Sequence, residues 1–119
     1  MVEEINYSKL TFVELQNMCH QTYIDKGFAK EWEDASKLLK ENGFGRIADL
    51  AELGLVCEEV GEGMSAIRHN DEKNELEEDA DIIIRVMTKN KRMGRNLVKA
   101  IYDKNQYNMT RPKLHGKTI

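Results

Sequence analysis

The stretch Glu58-Glu59-Val60-Gly61-Glu62, echoed by Glu78-Asp79-Ala80-Asp81, decides how this chain of 119 residues is read. On a helix, Glu59 and Glu62 stand one turn apart on one face, and so do Glu78 and Asp81. Arg68-His69-Asn70-Asp71 lies between the two stretches and suits a reversal of the chain. Two helices folded back on each other bring the four carboxylates together. Four like charges that close resist ionising together. A hard divalent cation, Mg²⁺ or Mn²⁺, removes the conflict by taking oxygen ligands.

Helical spacing runs through the rest of the sequence and strand-like alternation is scarce, so the expected fold is all-α, an antiparallel bundle of four to five helices. Thr11-Phe12-Val13-Glu14 forms a capping box that starts the first helix. Phe12, Leu15, Met18, Cys19 and Tyr23 supply its apolar stripe, and Gly27 ends it. A second helix spans about 29–39, with Trp32, Ala35, Leu38 and Leu39 on one face. Asn42-Gly43-Phe44-Gly45 breaks the chain. The third helix, about 46–68, carries the apolar stripe Leu53, Cys57, Val60, Met64 and Ile67. Glu59 and Glu62 fall on another face, shared with Ala48, Leu55 and Ala66. A carboxylate among Leu and Ala is partly enclosed and needs a partner. Glu58 points away from both and has a supporting role at most. Gly61 inside the helix calls for a close backbone or ligand, because it costs about 1 kcal/mol relative to Ala.

Asn70 or Asp71 caps a fourth helix over about 72–90, with Leu76, Ala80, Ile83 and Met87 as its core stripe. Ile82, Ile84 and Val86 make its second half apolar nearly all round, which in so small a protein points to a subunit interface. Arg85 shares the face of Glu78 and Asp81. It reads either as an intrahelical partner of Asp81 or as a contact for phosphate. Gly94 precedes a fifth helix over about 95–109, where Leu97, Ala100 and Ile101 pack and Lys104 and Asn108 share a side. The basic stretch 110–119 is either a solvated end or a cover for an anionic ligand.

Composition fits one soluble globular domain, 40% hydrophobic and 33% charged. A net charge of -3 gives no general case for nucleic acid. No apolar run approaches the ~20 residues that span a bilayer, and no signal-peptide core is present. Cys19 and Cys57 sit among apolar helical positions without metal spacing and read as buried thiols in a reducing cytoplasm.

The two acidic stretches resemble the EExxE…ExxD signature of the MazG-like, all-α nucleoside triphosphate pyrophosphohydrolases. His20-Gln21-Thr22-Tyr23-Ile24-Asp25-Lys26-Gly27-Phe28 is similar to the segment before that family's metal helices. The ending from Lys104-Asn105 through Arg111-Pro112 to His115-Gly116-Lys117 resembles that of its short, single-domain members. The resemblance implies one domain over 1–119 that assembles as a homodimer or dimer of dimers. It implies Mg²⁺-dependent hydrolysis of a nucleoside triphosphate at the α-phosphorus, with Glu59, Glu62, Glu78 and Asp81 as ligands and Glu58 assisting. His20 and Phe28 would enclose base or sugar. Lys104, Asn108 and Arg111 would contact phosphate and sugar, some of them across an interface. Arg85 stands where a relative carries an aromatic residue, a departure from the pattern. Two other readings are a phosphoribosyl-ATP pyrophosphatase-like enzyme and a non-catalytic helical interaction module.

Overall fold

The computed structural model describes residues 5–112, and these contain helices and no strands. A 3-10 turn at Tyr7–Lys9 leads into α1 (Phe12–Asp25), α2 (Phe28–Glu41), α3 (Gly45–Arg68), α4 (Glu72–Arg92) and α5 (Leu97–Thr110). Among the described residues no helix is long and apolar enough to cross a membrane. The tail segment His115-Gly116-Lys117 lies outside the described residues.

The helix boundaries follow local chemistry. The Thr11 hydroxyl accepts from the Glu14 N–H at 3.1 Å, and its own proton goes to the Glu14 carboxylate at 3.0 Å. The second half of the capping box is therefore a side-chain contact and not a bond to the Thr11 amide. Gly27 has φ 83°, a left-handed conformation that stops α1 and lets α2 begin at once. Asp71 and Asn96 cap α4 and α5 by accepting from the N–H groups of Asn74 and Lys99.

α3 and α4 make the principal helix contact, joined by a turn of only three residues. α2 rests on α3, and α1 rests on α4, where the Gln16 amide donates to the Met87 carbonyl at 2.9 Å. Arg92 of α4 reaches back to Glu52 of α3 in an ion pair whose two side chains are about nine-tenths buried. Such a pair fixes register, since loss of either partner costs about 3–5 kcal/mol. Gly63 faces α4: a Cβ there would lie 3.6 Å from that of Glu78. Gly61, where the sequence calls for a close neighbour, faces open space.

The faces are inverted relative to expectation. Among the described residues the buried set holds four apolar side chains, Ala29, Ala48, Ala66 and Met87. It holds seven polar ones, including Gln16, Glu52, Glu59 and Glu78. The apolar stripe of α3 points outward, and Met64 and Ile67 are each 56% exposed. On α4 only Met87 of the expected core stripe is buried, while Leu76, Ala80 and Ile83 are exposed. On α1, Leu15 and Met18 are exposed and the inward position belongs to Gln16. Cys57 is exposed and Cys19 only half-buried. α5 buries no residue at all; Leu97 is half-covered, whereas Ala100 and Ile101 are exposed. The physical reason is that the inner face of α3–α4 is given to small residues and carboxylates, so the large apolar residues fall on the outer flank. The Cα radius of gyration is 17.3 Å, against about 13 Å for a compact chain of this length.

Candidate metal centre and cleft

α3 and α4 bring the two acidic stretches together. One oxygen each from Glu59, Glu78 and Asp81 lies within 4.8 Å of the others. Glu62, one turn after Glu59, is exposed, yet its carboxyl stands close enough to Glu78 to act on it. Glu58 is exposed and belongs to neither the trio nor the cleft described below. Glu59 is 7% exposed and Glu78 is 8% exposed, the latter screened by its immediate neighbours rather than by depth.

This crowding divides the protons unequally. The contact with Glu59 pushes the Glu78 carboxyl up to about 7, and desolvation and the Glu62 carboxyl add to the shift. Burial also pushes Glu59 upward. Its contacts with Glu78 and Arg85, and the Arg85 charge, outweigh burial and leave it below its ordinary value. The pair thus shares one proton near neutrality. Oε2 of Glu78 is buried with no hydrogen-bond partner. An orphaned buried oxygen on a carboxyl that belongs to such a cluster fits a hard divalent cation as a further ligand.

A proton held by Glu78 in the folded chain is released by the unfolded chain above its ordinary pKa. Its stabilising contribution is therefore complete at acid pH and is lost as pH rises through about 7. His20 works in the opposite direction, because burial and then Lys91 hold its imidazole below the ordinary value. Comparison with Glu78→Gln isolates the carboxyl. In chelator-treated protein, wild type loses stability relative to Glu78→Gln between about pH 5 and pH 8. Denaturation midpoints that keep a constant difference across this window would contradict the shared proton.

Glu59 and Asp81 of the trio also line a cleft of about 710 Å³, while Glu78 stands behind them and outside it. Glu59 and Leu55 enter from α3, and Asp81, Ile84, Arg85 and Thr88 from α4. The opposite wall is aromatic: Tyr23 from α1, with Phe28 and Trp32 from α2. Tyr23 and Phe28 are tilted against each other with ring centroids 5.9 Å apart. His20 does not line the cleft; its ring stacks with that of Tyr23, centroids 6.5 Å apart. Burial, then the Glu52 charge, push the Tyr23 phenol up to about 12, so it enters the cleft region as a neutral group. Burial likewise raises the Cys19 thiol, which argues against a nucleophilic role there.

Arg85 pairs with Glu59 across the helices at 2.9 Å, not with Asp81 on its own helix. Lys104, Asn108 and Arg111 are not brought to the cleft within one chain. Lys104 and Arg111 instead flank the Tyr107 ring at 4.9 and 5.0 Å. Sequence reasoning missed Tyr23 as a cleft residue because it also fits the apolar stripe of α1. Trp32 shares an apolar helix face with Ala35, Leu38 and Leu39 and so reads as packing, and Lys26 and Glu31 carry no signal beyond charge. Comparison with protein-family models, curated proteins and solved structures finds no match to this chain.

Proposed function

We propose that this chain is a divalent-cation-dependent nucleoside triphosphate pyrophosphohydrolase of the MazG-like kind. The observation that carries the reading is the convergence of Glu59, Glu78 and Asp81, two of which, Glu59 and Asp81, also line an aromatic cleft. A polyphosphate needs concentrated positive charge, and a nucleobase needs flat apolar surface. The two walls offer places for both. The cleft volume lies within the range of small-molecule sites.

In this reading Glu59, Glu62, Glu78 and Asp81 hold Mg²⁺, with Mn²⁺ as a substitute. Bound Mg²⁺ supplies charge that neutralises phosphate oxygens and acidifies water. Tyr23, Phe28 and Trp32 grip the base and shield the cleft from bulk water. Arg85 meets charge on the phosphate chain. Water attacks the α-phosphorus, a carboxylate of the cluster accepts the water's proton, and the bond to the bridging oxygen breaks so that pyrophosphate leaves. The products are a nucleoside monophosphate and pyrophosphate. The choice of the α-phosphorus comes from the resemblance to the family.

The same reading includes an antiparallel helical bundle assembled as a homo-oligomer. The contacts Gly63–Glu78, Glu59–Arg85 and Glu52–Arg92 step in opposite directions along α3 and α4, as an antiparallel pair requires. The chain exposes 9704 Å², against roughly 6600 Å² for a compact folded chain of its mass. The excess, about 3100 Å² on one chain, is larger than the roughly 800 Å² that each partner gives to a standard interface, which leaves ample surface for a subunit contact. Lys104, Asn108 and Arg111 then reach the cleft of a second copy.

Incubation with a panel of ribo- and deoxyribonucleoside triphosphates, with and without Mg²⁺, tests the proposal. The expected outcome is metal-dependent release of pyrophosphate together with the monophosphate from at least one member. Release of orthophosphate alone, or no turnover with any member, would overturn it.

A further inference from the structure

Arg85 is tied to Glu59 by a single N–H. Its Nε donates to Oε1 at 2.9 Å, and among the described residues its Nη groups donate to no protein acceptor. Its side chain is 39% exposed and lines the cleft, whereas that of Glu59 is only 10% exposed. The guanidinium thus sits with one edge on a metal-ligating carboxylate and its fork free in the space assigned to phosphate. A guanidinium and a divalent cation compete for Glu59, because two cations a few ångströms apart in a partly dry site repel each other. A phosphate chain in the cleft offers Arg85 a bidentate partner of opposite charge.

We infer that Arg85 is a two-position residue. It neutralises Glu59 in the metal-free protein and turns to the phosphate chain when a divalent cation takes that carboxylate. The inference rests on the metal-dependent reading above and adds an order of events to it. Arg85 stands in for the cation and keeps the crowded carboxylates folded without it. Cation alone must displace the guanidinium and binds weakly. Cation with polyphosphate gives the guanidinium a new partner and binds cooperatively. The departure from an aromatic residue at this position thereby gains a role.

Side-chain NMR of the intact wild-type protein reads both positions. The Arg85 Nε–H signal is assigned by its absence in Arg85→Lys, and the Glu59 and Glu78 carboxyl carbons report cation binding. Saturating MgCl₂ shifts the carboxyl signals and moves the Arg85 signal away from its metal-free position. Addition of inorganic tripolyphosphate moves it again. By calorimetry, Arg85→Gln binds Mg²⁺ more tightly than wild type. Its affinity for tripolyphosphate at saturating Mg²⁺ falls about tenfold or more, the loss of a charge-assisted pair. Carboxyl signals that respond to Mg²⁺ while Arg85 stays in place would overturn the two-position role and leave the metal site standing. Carboxyl signals that do not respond would remove the metal site and this inference together.

Discussion

Glu78→Gln lowers Mg²⁺-dependent pyrophosphate release on the order of 10³-fold, and the chelator-treated variant melts at a higher temperature than wild type near neutral pH. Both effects have one origin. Glu78 stands against Glu59 and Glu62, and its carboxyl is pushed up to about 7 by that company. Replacing it with an amide of the same shape removes a charge that repels its neighbours, so the metal-free fold gains. The same change removes the oxygen that has no partner inside the protein. If that oxygen is a ligand, the transition state loses several kcal/mol of charge stabilisation, which is the stated loss in rate. A residue that weakens the fold while serving the reaction marks a functional site. Steady-state pyrophosphate release and thermal melting in chelator check the pair of effects. A variant that melts lower and turns over normally would return Glu78 to a structural role.

The carboxylates were legible because helical spacing is a short-range rule. Glu59 and Glu62 on one helix, and Glu78 and Asp81 on the next, follow from three-residue spacing and a short reversal at 69–71. The helix limits were legible for the same reason: Thr11, Gly27, Asp71 and Gly94 act within one turn of themselves. What failed was the inference from apolar stripe to core. Leu53, Val60, Met64 and Ile67 form a regular stripe, and hydrophobic spacing cannot say whether the surface it seeks belongs to the same chain. The enclosed setting of Glu59 was foreseen from Ala48 and Ala66 on its face, and these two are indeed buried. The partner of Arg85 was not foreseen. Asp81 is its neighbour at four residues' distance on α4, but the more buried carboxylate across the helices gains more from a cation. The aromatic wall was hidden because Tyr23 and Trp32 suit a core and a cleft equally.

Met64→Glu combined with Ile83→Glu converts the proposed homo-oligomer to a monomer and abolishes most turnover. Val60, Met64 and Ile67 on α3 and Leu76, Ala80 and Ile83 on α4 are all exposed. Of these, Val60 is 43% exposed, Ile83 53% and Leu76 70%, so both long helices leave large apolar side chains uncovered. Burying one such side chain is worth about 1.5–3 kcal/mol, and placing two carboxylates on each copy reverses that gain and adds repulsion. Light scattering reports the mass. Turnover falls because Lys104, Asn108 and Arg111 lie outside their own chain's cleft. That last step has its own check. Glu78→Gln and Lys104→Ala with Arg111→Ala are each impaired alone, but co-expressed they form mixed oligomers. A cleft that pairs the wild-type carboxylates of one copy with the wild-type α5 of the other is intact, so activity returns. No recovery in mixed oligomers of verified composition would place α5 in some other role, and an unaltered mass for the double glutamate variant would remove Met64 and Ile83 from the assembly.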